Sequence, residues 1–485
     1  GPHGHSFSIL TMRRAKEEDF KLWSSRLERS LGSRVSLDLP SELEERSARL
    51  VAMACRALSA PFHAVFYGIA KGRDRNYLLG ERIEEWLLGM PLRRRVQAVA
   101  ADPDLADILA YHVSVLPPVA RAVGRIRRKK ASRGRQAGPR LYYFEITLPR
   151  ARRSPVGVRR AAKACDRILA PCREAAEELR RELGPDFSVE VLPWMITWGD
   201  QYYRAASARQ QTRGSEAFVE AASAAGRPDS IAGDAGSMLQ QRLPTLSGDP
   251  QRPEVLADAF ASRCVFGSIG RMSREKRMEL VVEAFEKAAE ALLMNAAEVA
   301  RADERGEAGK DRPLRLREIG LILVGSGPLY ESVRDRLRAA LERLEQQRAR
   351  LALDAKQAPP QIWGRLLSSC DDLATDFFGA IDVYLSASTA EGFSVAMIEA
   401  MASGKPVVAT AVGGAKDWID DSIGRLLAPD DASGFAKAMF ELAADPTLRS
   451  SMSAASRERF ERGLHPEVLG ARYRELFEPS EVSAP

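Results

Sequence analysis

The chain has no cysteine pair at metal-ligand or redox spacing. Its five cysteines, Cys55, Cys165, Cys172, Cys264 and Cys370, are odd in number and scattered. That argues against a disulfide framework or a zinc cluster and points to a reducing compartment. Five histidines form no His/Asp cluster with metal-ligand spacing. Aromatic residues are only 7%. No apolar run reaches the roughly 18 residues of a membrane-spanning helix. A cytoplasmic protein, in contact with a membrane at most peripherally, is the expectation. The opening Gly1-Pro2-His3-Gly4-His5 reads as a cloning remnant, so the natural start and any targeting signal are expected outside this sequence.

What remains is ordinary globular material, with 45% hydrophobic and 28% charged residues. A length of 485 residues exceeds what one core organises, so two or three domains are expected. The net charge of +6 is uneven: residues 121–153 hold twelve lysines and arginines against one acid, Glu145. This segment offers peripheral contact with an anionic membrane or a phosphorylated acceptor; a solvated basic loop is the plainer alternative. It lacks aromatic residues that would stack on bases through its most basic part, which disfavours nucleic acid.

Short apolar runs alternate with helical patterns. Phe7–Met12, Arg34–Leu39, Phe62–Ile69, Asp107–His112, Leu141–Thr147, Arg167–Ala170 and Ser188–Leu192 read as strands, with helices such as Leu43–Leu58 and Arg173–Leu183 between them. After Trp194 the pattern collapses into Ala, Ser, Gly, Arg and Gln, which reads as a flexible insertion. A second block carries strands at Cys264–Ile269, Leu321–Val324, Val383–Leu385 and Val407–Thr410. Ala296–Arg312 reads as a charged addition without an apolar stripe, and Leu341–Lys356 as a helical extension. Alternation of this kind predicts parallel sheets with helices on both faces. The expected boundaries are 1–196, a linker at 197–262, a second domain at 263–445, and a helical tail at 446–485 packing back on the first domain.

The chemistry concentrates in the second block. Glu391 and Glu399 stand eight positions apart, around a Gly-Phe-Ser turn and the start of a helix. Gly392 lets a ligand approach backbone N–H groups, and Ser394 can cap the helix. Glu399 has no basic neighbour one turn away. A helix N-terminus between two carboxylates suits a ligand with a diphosphate in the middle and hydroxyl-rich groups at both ends, such as a nucleotide-sugar. Gly270-Arg271 and Lys276 follow the Cys264–Ile269 strand, where both cations could reach phosphate oxygens. Gly325 and Gly327 form a further turn for close approach.

Taken together, these blocks resemble the retaining GT-B glycosyltransferases of family 4, the group 1 glycosyl transferases. The matching segments are Gly270-Arg271 with Glu275-Lys276, Leu323–Pro328, Ala380–Thr410, and Val412-Gly413-Gly414 leading to Gly424–Asp430. The resemblance implies an α/β fold with GT-B architecture: two Rossmann-like doubly wound parallel-sheet domains facing across a cleft. It implies a hexose-type sugar moved from a UDP- or GDP-sugar, with retention of configuration, and no metal or other cofactor. By the same resemblance, Arg271 and Lys276 bind the diphosphate. Glu391 and the backbone at Gly392, Phe393 and Ser394 hold the sugar, and Glu399 takes the ribose. Base choice would rest on backbone and loop contacts near Trp363-Gly364-Arg365.

The N-terminal half resembles the family in rhythm alone. Thr11–Lys16 stands where a glycine-rich loop is common, and Cys172 where a serine is usual. Glu145 and His112 are the acceptor-side candidates. The acceptor itself, whether lipid, glycan, protein or small molecule, is not legible. These departures leave a second reading open, a non-catalytic binding or scaffold subunit with a degenerate N-terminal domain.

Overall fold

The structure, a computed structural model, describes residues 7–10, 35–38, 93–94, 96–98, 107–111, 116–132, 138–145, 156–193, 262–305, 316–353, 358–370 and 373–477. The segments expected at 11–16, 43–58, 62–69 and 204–261, and His112, lie outside these residues. The chain divides into two compact units, Gly1–Pro193 and Trp194–Pro485.

In the first unit, β1 (Phe7–Leu10) pairs in parallel with β2 (Val35–Asp38). The strands β3 (Asp107–Tyr111), β4 (Arg140–Phe144), β5 (Arg167–Ala170) and β6 (Glu190–Val191) form a second parallel sheet in sequence order. Helices α1 (Leu116–Ala131), α2 (Val156–Ala162) and α3 (Arg173–Leu183) connect them. Leu141, Tyr142, Tyr143 and Phe144 are all buried, as expected for a strand covered on both faces. Cys172 stands at the cap of α3, where its sulfur accepts from the Ala175 N–H at 3.5 Å. It thus performs, with a weaker acceptor, what a capping serine does.

The second unit runs β7 (Arg263–Ile269), α4 (Met278–Glu304), β8 (Glu318–Val324), α5 (Tyr330–Leu353), β9 (Gln361–Leu367), a π-helical turn at Leu373–Phe378, and β10 (Val383–Ser386). It continues through α6 (Val395–Ala402), β11 (Val407–Thr410), α7 (Ala415–Trp418), β12 (Gly424–Leu427), α8 (Ala432–Ala444), α9 (Pro446–Gly463) and α10 (Pro466–Phe477). Six parallel strands lie in the order β12-β11-β10-β7-β8-β9. The chain therefore builds outward from β7 in one direction, returns to its other side, and builds outward again from β10. That order is the doubly wound Rossmann order, with its switch point between β7 and β10. One sheet face packs Phe266, Leu321, Leu323 and Val408 against α4, α5 and α8. On the other, Gly267 leaves room for Ile381 and Phe377.

Two expectations are corrected here. The helix at 278 continues through Glu304, well into the stretch read as a charged addition. Trp363-Gly364-Arg365 is not a loop but the middle of the edge strand β9. Trp363 Nε1 donates to Glu318 Oε1 at 2.7 Å, and Gly364 faces Leu337 and Leu341 of α5. A strand reading was obscured because its Trp-Gly-Arg centre is neither continuously apolar nor alternating. The tail forms two helices, and α9 packs on α6 and α8.

That packing closes the C-terminal end of α6. Ser456 Oγ donates to the Lys405 carbonyl at 2.8 Å, and Arg457 to the Ala402 carbonyl at 2.6 Å, supplying donors that the helix end lacks. Arg449 of α9 is fully buried and donates to the carbonyls of Leu442 (2.6 Å) and Arg263 (3.1 Å). Replacing Arg449 with Ala strips buried carbonyls of charged donors. A loss of about 2–4 kcal/mol is expected, read as a lower denaturation midpoint.

Candidate functional site

The loops that leave the carboxyl ends of β7, β8, β10 and β11 are joined backbone to backbone. The Gly270 N–H donates to the Val324 carbonyl at 3.0 Å, and the Met272 N–H to Ser326 at 2.9 Å. On the other side, the Thr389 N–H donates to the Glu275 carbonyl at 2.8 Å, and the Gly414 N–H to Gly392 at 2.9 Å. Two glycines make this closeness possible. A Cβ at Gly325 (φ 145°) would sit 1.9 Å from the Gly270 carbonyl oxygen. One at Gly413 (φ 53°) would sit 1.8 Å from that of Glu391. No side chain larger than hydrogen fits either position without moving backbone.

At the switch point between β7 and β10, Lys276 Nζ donates to Glu391 Oε2. Ser388 Oγ approaches the same oxygen at 3.4 Å. Both charged side chains are about a quarter exposed, at 28% and 23%, so each stays open to solvent and to a ligand. Arg271, on the same loop as Lys276, is exposed, and its guanidinium has no ion-pair or hydrogen-bond partner among the described residues. The sequence reading gave Lys276 and Glu391 separate ligand contacts; the structure brings them together as a pair.

Ser394 caps α6, its hydroxyl accepting from the Met397 N–H at 3.3 Å. Gly392 and Phe393 are buried just before it. The Phe393 ring fills the space beside Gly414, so its side chain anchors the loop. Glu399 is 5% exposed, within the buried face of α6. Tyr384 of β10 is buried. Burial first, then the charges of Glu391 and Glu399, push its phenol above the ordinary range, so the hydroxyl keeps its proton near neutral pH. Ser388, Thr389 and Tyr384 were missed from sequence. The only signal for Ser388 and Thr389 was their place between the end of β10 and the motif, where small polar residues read equally well as a turn; Tyr384 lies within β10 and read as an ordinary strand residue.

Residues Gly270, Arg271, Lys276, Gly325, Gly327, Glu391, Gly392, Phe393, Ser394 and Glu399 thus all lie in the second unit. All but Glu399, which lies within α6, are in or beside the loops at this sheet edge. Glu145 lies in the first unit, just past β4, buried and accepting from the Tyr143 hydroxyl. Among the described residues, no group of three or more His, Cys, Asp or Glu could hold a metal, and no helix is long and apolar enough to cross a membrane.

The basic segment separates into two parts. Arg127 is structural: it pairs with Asp166 and donates to the carbonyls of Pro139 and Ala164. Arg121, Arg125, Arg128 and Lys129 are exposed, and their spacing puts them on one face of α1. Partial burial, then Arg93 and Arg125, hold the Arg121 guanidinium below its ordinary pKa. Positive charge is therefore concentrated along this face.

Residues 263–445 match the family described as Glycosyl transferases group 1. The chain is similar to the D-inositol 3-phosphate glycosyltransferase of Saccharomonospora viridis, 32% identical over 157 residues, which cover 32% of this chain and 33% of that protein. A GDP-mannose-dependent monoacylated alpha-(1-6)-phosphatidylinositol monomannoside mannosyltransferase of Corynebacterium glutamicum is 31% identical over 88 residues, 18% of this chain and 23% of that one. The chain therefore spans about a third or less of the length of these curated relatives. Among solved structures, Anabaena HepE in complex with UDP superposes with a TM-score of 0.52 at 15% identity, covering 97% of this chain and 98% of that one. An alpha,alpha-trehalose 6-phosphate synthase from Burkholderia multivorans gives 0.55 at 15% identity, covering 98% of each. These likenesses establish the fold: two parallel-sheet α/β units.

Replacing Gly413 with Ala forces the 388–393 loop away from the 412–414 loop. It should cost about 2–4 kcal/mol in chemical denaturation. Ser326→Ala, at an exposed side chain in the neighbouring loop, should stay within about 0.5 kcal/mol.

Proposed function

From a second unit that matches the group 1 glycosyl transferases, we propose that the protein is a retaining glycosyltransferase. It moves a hexose-type sugar from a nucleotide-diphosphate-sugar to an acceptor, without a metal. The observation that carries this reading is the Lys276–Glu391 pair at the β7/β10 switch point, where ligands of doubly wound sheets bind. Exposed Arg271 lies on the same loop as Lys276. Lys276 and Arg271 donate to the diphosphate and stabilise the charge that develops as the glycosidic bond breaks. Glu391 then exchanges its lysine for sugar hydroxyls, with the backbone N–H groups around Gly392, Phe393 and Ser394 nearby. Glu399 accepts from the ribose. The acceptor attacks from the face the leaving phosphate departs from, and the phosphate takes its proton.

The relatives frame the donor panel: UDP for HepE, GDP-mannose for the Corynebacterium enzyme. One nucleotide-sugar should raise the melting temperature and be hydrolysed slowly, with the released sugar in the donor's anomeric form by NMR. Lys276→Ala should lower kcat by about 100–1,000-fold. Glu391→Gln should lower kcat/KM by about 10–100-fold through lost charge-assisted hydrogen bonds. Full activity in either variant refutes the assignment. Donor binding without turnover, with any acceptor class, favours the scaffold reading.

The exposed face of α1 supports a peripheral contact with an anionic membrane. Vesicles containing anionic lipid should sediment with the protein. The four-fold variant Arg121→Gln, Arg125→Gln, Arg128→Gln, Lys129→Gln should lose roughly 1 kcal/mol of binding per residue. Unchanged sedimentation removes α1 as the contact.

A further inference from the structure

Among the described residues, two non-glycine residues have a left-handed backbone: Arg277 (φ 52°) and Asp430 (φ 69°). They are ion-paired to each other. Left-handed conformations are uncommon for side-chain-bearing residues and persist where the surroundings impose them. Neither position is a chance turn on an idle surface. Arg277 follows Lys276 and opens α4, its carbonyl accepting from Leu280 N–H at 2.9 Å. Asp430 immediately precedes Asp431, the cap of α8, whose carboxylate accepts from Gly434 N–H at 2.7 Å. The helices α4 and α8 pack against each other.

The consequence lies in the loop between β7 and α4. Three consecutive residues tie it to other loops at the same sheet edge. The Glu275 carbonyl accepts from Thr389, Lys276 pairs with Glu391, and Arg277 pairs with Asp430. The first two ties reach the loop after β10, and the third reaches the loop after β12. Lys276 is thereby held from both sides of its own backbone, by a hydrogen bond before it and an ion pair after it.

We infer that Arg277 and Asp430 are positioning residues for the donor site. Their ion pair holds the β7–α4 loop in the one backbone arrangement that presents Lys276 to the diphosphate, and neither side chain touches the donor. The inference rests on the glycosyltransferase reading above. The pair is half-open to solvent, with side-chain exposures of 35% and 60%, so its effect is modest and sensitive to salt.

The test is a calorimetric titration of the full chain with UDP and with GDP. The variants are Arg277→Gly, Asp430→Gly and the exchanged pair Arg277→Asp/Asp430→Arg. Glycine accepts a left-handed backbone without strain, so each glycine variant removes the ion pair while relieving the backbone. Both single variants should bind the preferred nucleotide about threefold to fivefold more weakly at low salt, with melting temperatures equal to or above that of the unaltered chain. The exchanged pair should recover the affinity, and the differences should shrink near 1 M salt. A merely structural pair would instead move melting temperature and affinity together, which overturns the inference. So does unchanged affinity in both glycine variants, loss confined to Arg277→Gly (direct contact with the nucleotide), or failure of the exchanged pair to recover. If the unaltered chain binds neither nucleotide, the glycosyltransferase reading falls, and this inference falls with it.

Discussion

Lys276 and Glu391 meet across 115 positions of sequence because β7 and β10 lie side by side. The remaining strands fan away from that line in opposite directions. At such a line the flanking connections leave toward opposite edges of the sheet, and the space above the strand ends stays uncovered. Every group assigned to the donor depends on this one reversal. A partly exposed ion pair of this kind adds little to fold stability. In the proposed function its value is to hold a cation and an anion at defined positions before a ligand arrives, and a ligand with opposite charge and hydroxyl groups then replaces each partner.

Rigidity comes from the backbone rather than from the charges. Gly325 and Gly413 let adjacent loops touch at distances no Cβ permits, and hydrogen bonds run from loop to loop across the sheet edge. Helix α6 is fixed at both ends. Ser394 caps its start, and α9 supplies side-chain donors to the carbonyls at its finish. Tyr384, buried in β10, lies within electrostatic reach of both glutamates. Functional groups set on elements locked in this way need little rearrangement to act.

Much of this edge was legible from sequence. The stretch 391–410 has a turn glycine, a capping serine, an apolar helix, a glycine stop and a strand of Val and Thr, all within twenty residues. The structure has Ser394 as cap, α6 at Val395–Ala402 and β11 at Val407–Thr410. Arg173–Leu183 and Arg167–Ala170 were equally readable. Strand β9 was not, because an edge strand with a Trp-Gly-Arg centre carries no period that separates it from a loop. The extension of α4 to Glu304 was missed because its charged end has no apolar stripe, and it continues as helix on the strength of the packed turns before it.

The sequence by itself determined the alternation of strands and helices, the turn chemistry and the residue types at each strand end. These arise from interactions within a few positions, through capping, periodicity and the freedom of glycine. Only the tertiary structure decided which strand end faces which. Partners such as Lys276 with Glu391, Arg277 with Asp430, and Gly413 with the Glu391 carbonyl are joined by strand order and helix packing, which no local pattern encodes. Their energies come from groups brought together from distant parts of the chain, and so they exist only once the sheet has formed.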